Sequence, residues 1–363
     1  MAWQSAEILD LLLAGAGKFA RLGGAGAKAV AGGDNAPATA ASPKDTVFGD
    51  GTAKLYHFRR APTDRAVPLS SALPQHAPVL VVPSLINRWY IVDLRPGSSL
   101  IEALVRQGLD VWCLDWGVPE DEDRHLTWDD IVARLRRMVR KVLRETGQPR
   151  VSLLGYCIGA TLCGVHAALQ PDTVASLINL AGPFDFAKIG KLGHMTDPRW
   201  FDGAAMASAG NMSAKSMQSG FQALRPTAEI AKKVNMLHKM HDVRAMAAFR
   251  ALDGWASANI AFPAAAYATW ITEFYQENRL IQGNHASCGR PVELQQITCP
   301  LLTITTARDE ICPPEAALGL DLRAGSKDKT VVSVPGGHVG AVVGRTASTH
   351  LYPAIAGWLK EKT

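Results

Sequence analysis

The chain is predicted to be an α/β protein, a mostly parallel sheet flanked by helices with one helical cap inserted into it. Three observations carry that expectation. Short apolar runs alternate with helical patterns from Val79 onward, one long interval breaks the alternation, and the runs resume near the C-terminal end. With 47% hydrophobic and 20% charged residues over 363 positions, there is enough apolar material for one large core.

Residues 1–45 are rich in Ala and Gly. Ile8, Leu11, Leu12, Ala16 and Phe19 keep near-helical spacing, so a lead-in helix and linker are expected there, packed on their own domain. Residues 46–363 then form the catalytic domain. Strands are predicted at Val79–Val82, Asp110–Leu114, Val151–Gly155 and Ser176–Leu180. Between the second and third, Ile131, Val132, Leu135, Met138, Val139, Val142 and Leu143 mark an amphipathic helix opened by the capping pair Thr127 and Asp130. Its arginines and Lys141 read as a solvated face. Residues 184–296, rich in Ala, Met and aromatic side chains, read as a helical cap of the kind that closes over an apolar substrate. Strands resume at Leu301–Thr305 and Thr330–Val334.

The chemistry concentrates at Gly155-Tyr156-Cys157-Ile158-Gly159, which follows a predicted strand directly and precedes the helical pattern Ala160–Leu169. A strand, sharp turn and helix in that order form a nucleophile elbow, and its flanking glycines relieve the Cβ clashes that the turn creates. The side chain of Cys157 would then project above the sheet edge. On the α/β-hydrolase fold an acid and a histidine should follow, in that order, past later strands. Asp309 lies just beyond Leu301–Thr305, and His338 just beyond Thr330–Val334. Of the ten histidines, only His338 stands there. His338 would accept the thiol proton and Asp309 would fix the imidazole tautomer. Backbone N–H groups of Ile158 and Ile86 are the expected oxyanion donors. A thiol exchanging one thioester for another keeps the acyl group activated, which favours acyl transfer over ester hydrolysis.

With those residues in place, the chain resembles the polyhydroxyalkanoate synthases. The likeness runs from about Val79 to Leu359. It rests on Pro83-Ser84-Leu85-Ile86-Asn87-Arg88-Trp89-Tyr90-Ile91-Val92-Asp93-Leu94, on Asp115-Trp116, on the elbow, on Glu277-Asn278-Arg279-Leu280 and on Gly337-His338-Val339-Gly340. Glu310, Ala160 and Ser84 depart from the family's usual residues, and Glu310 bears on coenzyme A binding. The resemblance implies a short, two-component type that polymerises (R)-3-hydroxyacyl-coenzyme A into polyester and releases coenzyme A through a Cys157 acyl-enzyme. It also implies a second synthase subunit and a location in the cytoplasm, at the surface of polyester granules. A homo-oligomer is expected. A cysteine-dependent depolymerase or thioesterase on the same fold is the alternative.

Other classes find no support. The six cysteines include no CxxC pair, and His238 with His241 lacks a third ligand, so neither a disulfide framework nor a metal site is expected. No dinucleotide fingerprint follows a strand, and no cofactor is expected. A net charge of +5 comes without the basic patch that nucleic-acid binding requires. The early apolar run Leu11–Leu13 is too short for a membrane span.

Overall fold

The computed structural model describes residues 38–60, 76–224, 236 and 241–363. The expected lead-in helix and His238 lie outside them. Eight strands form the central sheet: β1 (Lys44–Asp50), β2 (Ala53–Phe58), β3 (Val79–Val82), β4 (Val111–Asp115), β5 (Val151–Tyr156), β6 (Val174–Leu180), β7 (Leu301–Thr306) and β8 (Lys329–Val334). Their spatial order is β1-β2-β4-β3-β5-β6-β7-β8. β2 pairs antiparallel with β1 and β4, and every other pairing in the sheet is parallel.

Central strands read as unbroken apolar runs because helices cover both faces of a parallel sheet. Along β3, Leu80 and Val82 enter one core cluster while Val79 and Val81 enter the other. The first cluster sits under α2 (Trp128–Thr146) and α3 (Ile158–Leu169), the second under α1 (Leu100–Arg106) and the C-terminal helix Tyr352–Lys362. The two-residue repeat of a strand thus builds two cores from one run.

The capping pair expected for α2 forms. The Asp130 N–H donates to Thr127 Oγ1 at 3.2 Å, and the Thr127 N–H donates to Asp130 Oδ2 at 2.9 Å. The helix stops at Gly147, whose φ of 66° is a left-handed cap. Its arginines are not all a solvated face. Arg134 is buried, and Arg137 Nε donates to Asp50 Oδ2 at 2.6 Å. The reason is the β1–β2 hairpin, which brings Asp50 across α2 and which the sequence did not reveal. β1 also takes in Lys44 and Asp45, two residues assigned to the linker.

Between β6 and β7 lie α4 (Lys191–Met195), α5 (Gly203–Ser208), α6 (Ala214–Leu224), α7 (Val243–Ser257), α8 (Ala264–Thr269) and α9 (Arg279–Gln282). The interval also holds a two-residue hairpin, Ala286–Ser287 with Arg290–Pro291. α8 continues into the wider turn Trp270–Gln276, whose aromatic residues lock the insertion onto the core. Trp270 stacks on Trp128 of α2 at 5.3 Å, and Phe186 meets Trp270 edge-on at 5.0 Å. Offset and edge-on pairs of this kind contribute about 0.5–1.5 kcal/mol each beyond area burial.

Candidate active site

β5 delivers Cys157 to the first turn of α3. Its φ of 57° and ψ of −133° are rarely adopted outside glycine, so the surrounding chain must hold it there. Two backbone contacts do so: the Cys157 N–H donates to Leu180 O at 3.0 Å, and its carbonyl accepts from Ala160 at 2.9 Å. The glycines on either side are required by close approach. A Cβ on Gly155 would stand 2.2 Å from Ala160 Cα, and one on Gly159 would stand 2.1 Å from Val82 O.

Asp309 lies on the loop after β7 and His338 on the loop after β8. The loops meet at a bond of 2.8 Å between His338 Nδ1 and Asp309 Oδ2. Oδ2 also accepts from Thr306 Oγ1 at 2.7 Å, and Oδ1 accepts from the Ile311 and Cys312 N–H groups, both at 2.9 Å. Burial would push the Asp309 carboxyl up, but the bond from His338, its charge and the Cys312 and Thr306 donors together hold it below the usual range. The opposite edge of the ring faces Cys157. Nε2 is buried without a fully formed hydrogen bond, yet the sulfur stands close enough to act on it electrostatically. Burial pushes the imidazole down. The charge of Cys157, followed by the Asp309 bond, outweighs that and holds His338 up at about 10.

The remaining five thiols stand in a different environment. Burial, ahead of any other cause, pushes the thiols of Cys113, Cys163, Cys299 and Cys312 up, and the exposed Cys288 is also raised, by desolvation first, with the nearby charge of Asp129 contributing. All six cysteines are free. Cys157 and His338 open onto a cavity of about 410 Å³ between the sheet edge and the insertion. The insertion is pinned to the loop after β3, because Trp255 Nε1 donates to Arg88 O at 2.8 Å and the Ile260 N–H to Ile86 O at 3.2 Å. Ile158 opens α3, where an N–H has no partner within the helix. The Ile86 N–H donates to Ser84 Oγ at 3.3 Å, so this expected oxyanion donor is engaged by a side chain across a long bond.

Residues 77–344 match the family described as the alpha/beta hydrolase fold. The chain is 31% identical to Poly(3-hydroxyalkanoate) polymerase subunit PhaC of Allochromatium vinosum over 326 residues, covering 89% of this chain and 90% of that protein. The chain belongs to the poly(3-hydroxyalkanoate) polymerase family. The family's PhaC subunit of Synechocystis sp. is 32% identical over 330 residues, covering 88% of this chain and 85% of that protein. A monoglyceride lipase from Saccharomyces cerevisiae, solved with a substrate analog, shares the fold at a TM-score of 0.52 and 13% identity. That likeness covers 90% of this chain and 98% of the lipase.

Around this polymerase-family site stand residues that sequence reasoning missed. The Tyr156 ring stacks on His338 at 5.2 Å, and its hydroxyl donates to the His338 carbonyl at 3.3 Å. Its place beside the nucleophile was the available signal. Thr306 was detectable as a hydroxyl three positions before the acid. Gln218, Phe221 and Trp255, which line the cavity from the insertion, gave no such signal. Among the described residues no group of three or more His, Cys, Asp or Glu side chains could hold a metal, and no helix is long and apolar enough to cross a membrane.

Proposed function

We propose that this chain polymerises (R)-3-hydroxyacyl-coenzyme A into polyester through a relay of Cys157, His338 and Asp309. His338 holds the proton of Cys157 as an ion pair, and the sulfur attacks the thioester carbonyl. The bond from carbonyl carbon to the coenzyme A sulfur breaks, and His338 returns the proton to the departing thiol. The acyl group now rests on Cys157. The hydroxyl of another hydroxyacyl unit then attacks it, its proton passes to the now neutral His338, an ester bond forms and the Cys157 sulfur is freed as the partner of the imidazolium. Asp309 holds the imidazole with one nitrogen facing the sulfur, and acts on the attacking hydroxyl through His338. The Ile158 N–H and, once it leaves Ser84, the Ile86 N–H receive the oxyanion. Removing one such donor costs about 3 kcal/mol in comparable sites.

One observation carries this reading: of the six thiols, Cys157 is the one that shares the cavity wall with an imidazole bonded to a carboxylate. The relatives are named as polymerase subunits, which supports a second subunit working with this one; a location at the surface of the insoluble product and a homo-oligomer belong to the same proposal. Purified protein incubated with (R)-3-hydroxybutyryl-coenzyme A tests the reaction. Coenzyme A release accompanied by insoluble polyester is expected; release with free hydroxy acid alone would mean that water, not a second hydroxyl, takes the acyl group.

A further inference from the structure

Among the described residues, the cavity that holds Cys157 and His338 is lined without any carboxylate. Its polar lining includes four carboxamides beside Ser84, Arg88, Tyr156, Ser257 and His338. Asn87 comes from the loop after β3, Gln218 and Gln222 from α6, and Asn259 from the segment after α7. None of the four carboxamides is hydrogen-bonded to another described residue. On α6 the two glutamines are four residues apart and flank Phe221, so all three present one face of the helix to the cavity.

Unpaired carboxamides match a particular chemistry. Each offers donors and an acceptor together, and is fully satisfied only by a group that does the same. An ester offers acceptors alone. An amide offers both. In an acyl-coenzyme A the arm that leads away from the thioester sulfur carries two amides, separated by a short methylene segment of about 5 Å. Side chains at positions i and i+4 of a helix stand about 5–6 Å apart. The apolar wall of Phe221 between them suits the methylenes between the amides.

We propose that Gln218 and Gln222 of α6 are the elements that recognise the two amides of the pantetheine arm. The inserted helices thereby select a coenzyme A thioester over simpler ones. This rests on the acyl-coenzyme A reading above and assigns its specificity to two residues outside the relay.

The test uses the full chain and the double variant Gln218→Met with Gln222→Met, which keeps side-chain length and removes the amides. Binding of free coenzyme A is measured by calorimetry. In parallel, KM is measured for 3-hydroxybutyryl-coenzyme A and for the S-ethyl thioester of the same acid, which carries no amide. Loss of two neutral hydrogen bonds predicts coenzyme A binding weakened about tenfold or more, a similar rise in KM for the coenzyme A thioester, and an unchanged KM for the S-ethyl thioester. Unchanged coenzyme A binding, or an equal rise for both thioesters, would overturn the assignment. The calorimetric arm needs no turnover, so a wild type that binds coenzyme A through these glutamines without making polymer would sink the polymerase reading and leave this one standing. A wild type that binds no coenzyme A would overturn this one.

Discussion

At the residue scale, Asp309 does two separable things. Oδ1 builds its own loop by accepting two backbone N–H groups, while Oδ2 faces His338 and Thr306. Asp309→Asn can retain the first and must lose the second, since an amide nitrogen or neutral oxygen replaces the charged acceptor. Unfolding in urea should weaken at neutral pH by the loss of the His338 ion pair, while kcat for coenzyme A release should fall about 10⁴-fold, as when a triad acid is neutralised elsewhere. A fall in stability with little loss of rate would make Asp309 a loop residue only. His338 gives a pH signature. Its folded value is raised from 6.5 to about 10, so the stability contributed by the imidazolium is fully present below pH 6.5. It is then lost as pH rises through about 10. The difference in urea midpoint between wild type and His338→Gln should therefore narrow from pH 6.5 to pH 10. A constant difference would show that no charged partner is involved.

At the scale of elements, the strand, turn and helix around Cys157 depend on close backbone approach more than on any side-chain contact. Gly159→Ala would drive a methyl into the carbonyls of Val82 and Pro83. Neither backbone can retreat without disturbing β3, so a loss of about 2 kcal/mol or more in urea unfolding is expected. An alanine tolerated there without loss would mean that the turn is looser than its contacts imply. This element was legible from sequence because its constraint is written in residue types: glycine, nucleophile, glycine, placed between an apolar run and a helical one. The six parallel strands were legible for a related reason: burial on both faces leaves few polar interruptions in the inner ones, while the half-exposed edge strand β8 shows only through its valines. The β1–β2 hairpin was not. β1 is nowhere fully buried and mixes Lys44, Asp45 and Asp50 with Val47 and Phe48, so no run stands out. Missing it also made Arg134 and Arg137 look solvated, when Asp50 of that hairpin engages both.

At the scale of the molecule, the sheet brings three loops that are distant in sequence to one edge, and the inserted helices close a cavity over them. The residues proposed for the relay could be placed in advance because order along the chain fixes which strand ends they occupy. The cavity wall could not, because Gln218, Phe221 and Trp255 reach it through tertiary packing that leaves no local pattern. One physical claim connects the scales: the sulfur of Cys157 is the atom that carries the acyl group. Its most direct test is mass spectrometry of the protein quenched in acid seconds after mixing with (R)-3-hydroxybutyryl-coenzyme A, followed by peptide mapping. A hydroxyacyl adduct confined to the peptide containing Cys157, and absent from Cys157→Ser treated in the same way, is the predicted result. An adduct on another residue, or polymer made at the wild-type rate by Cys157→Ala, would contradict it.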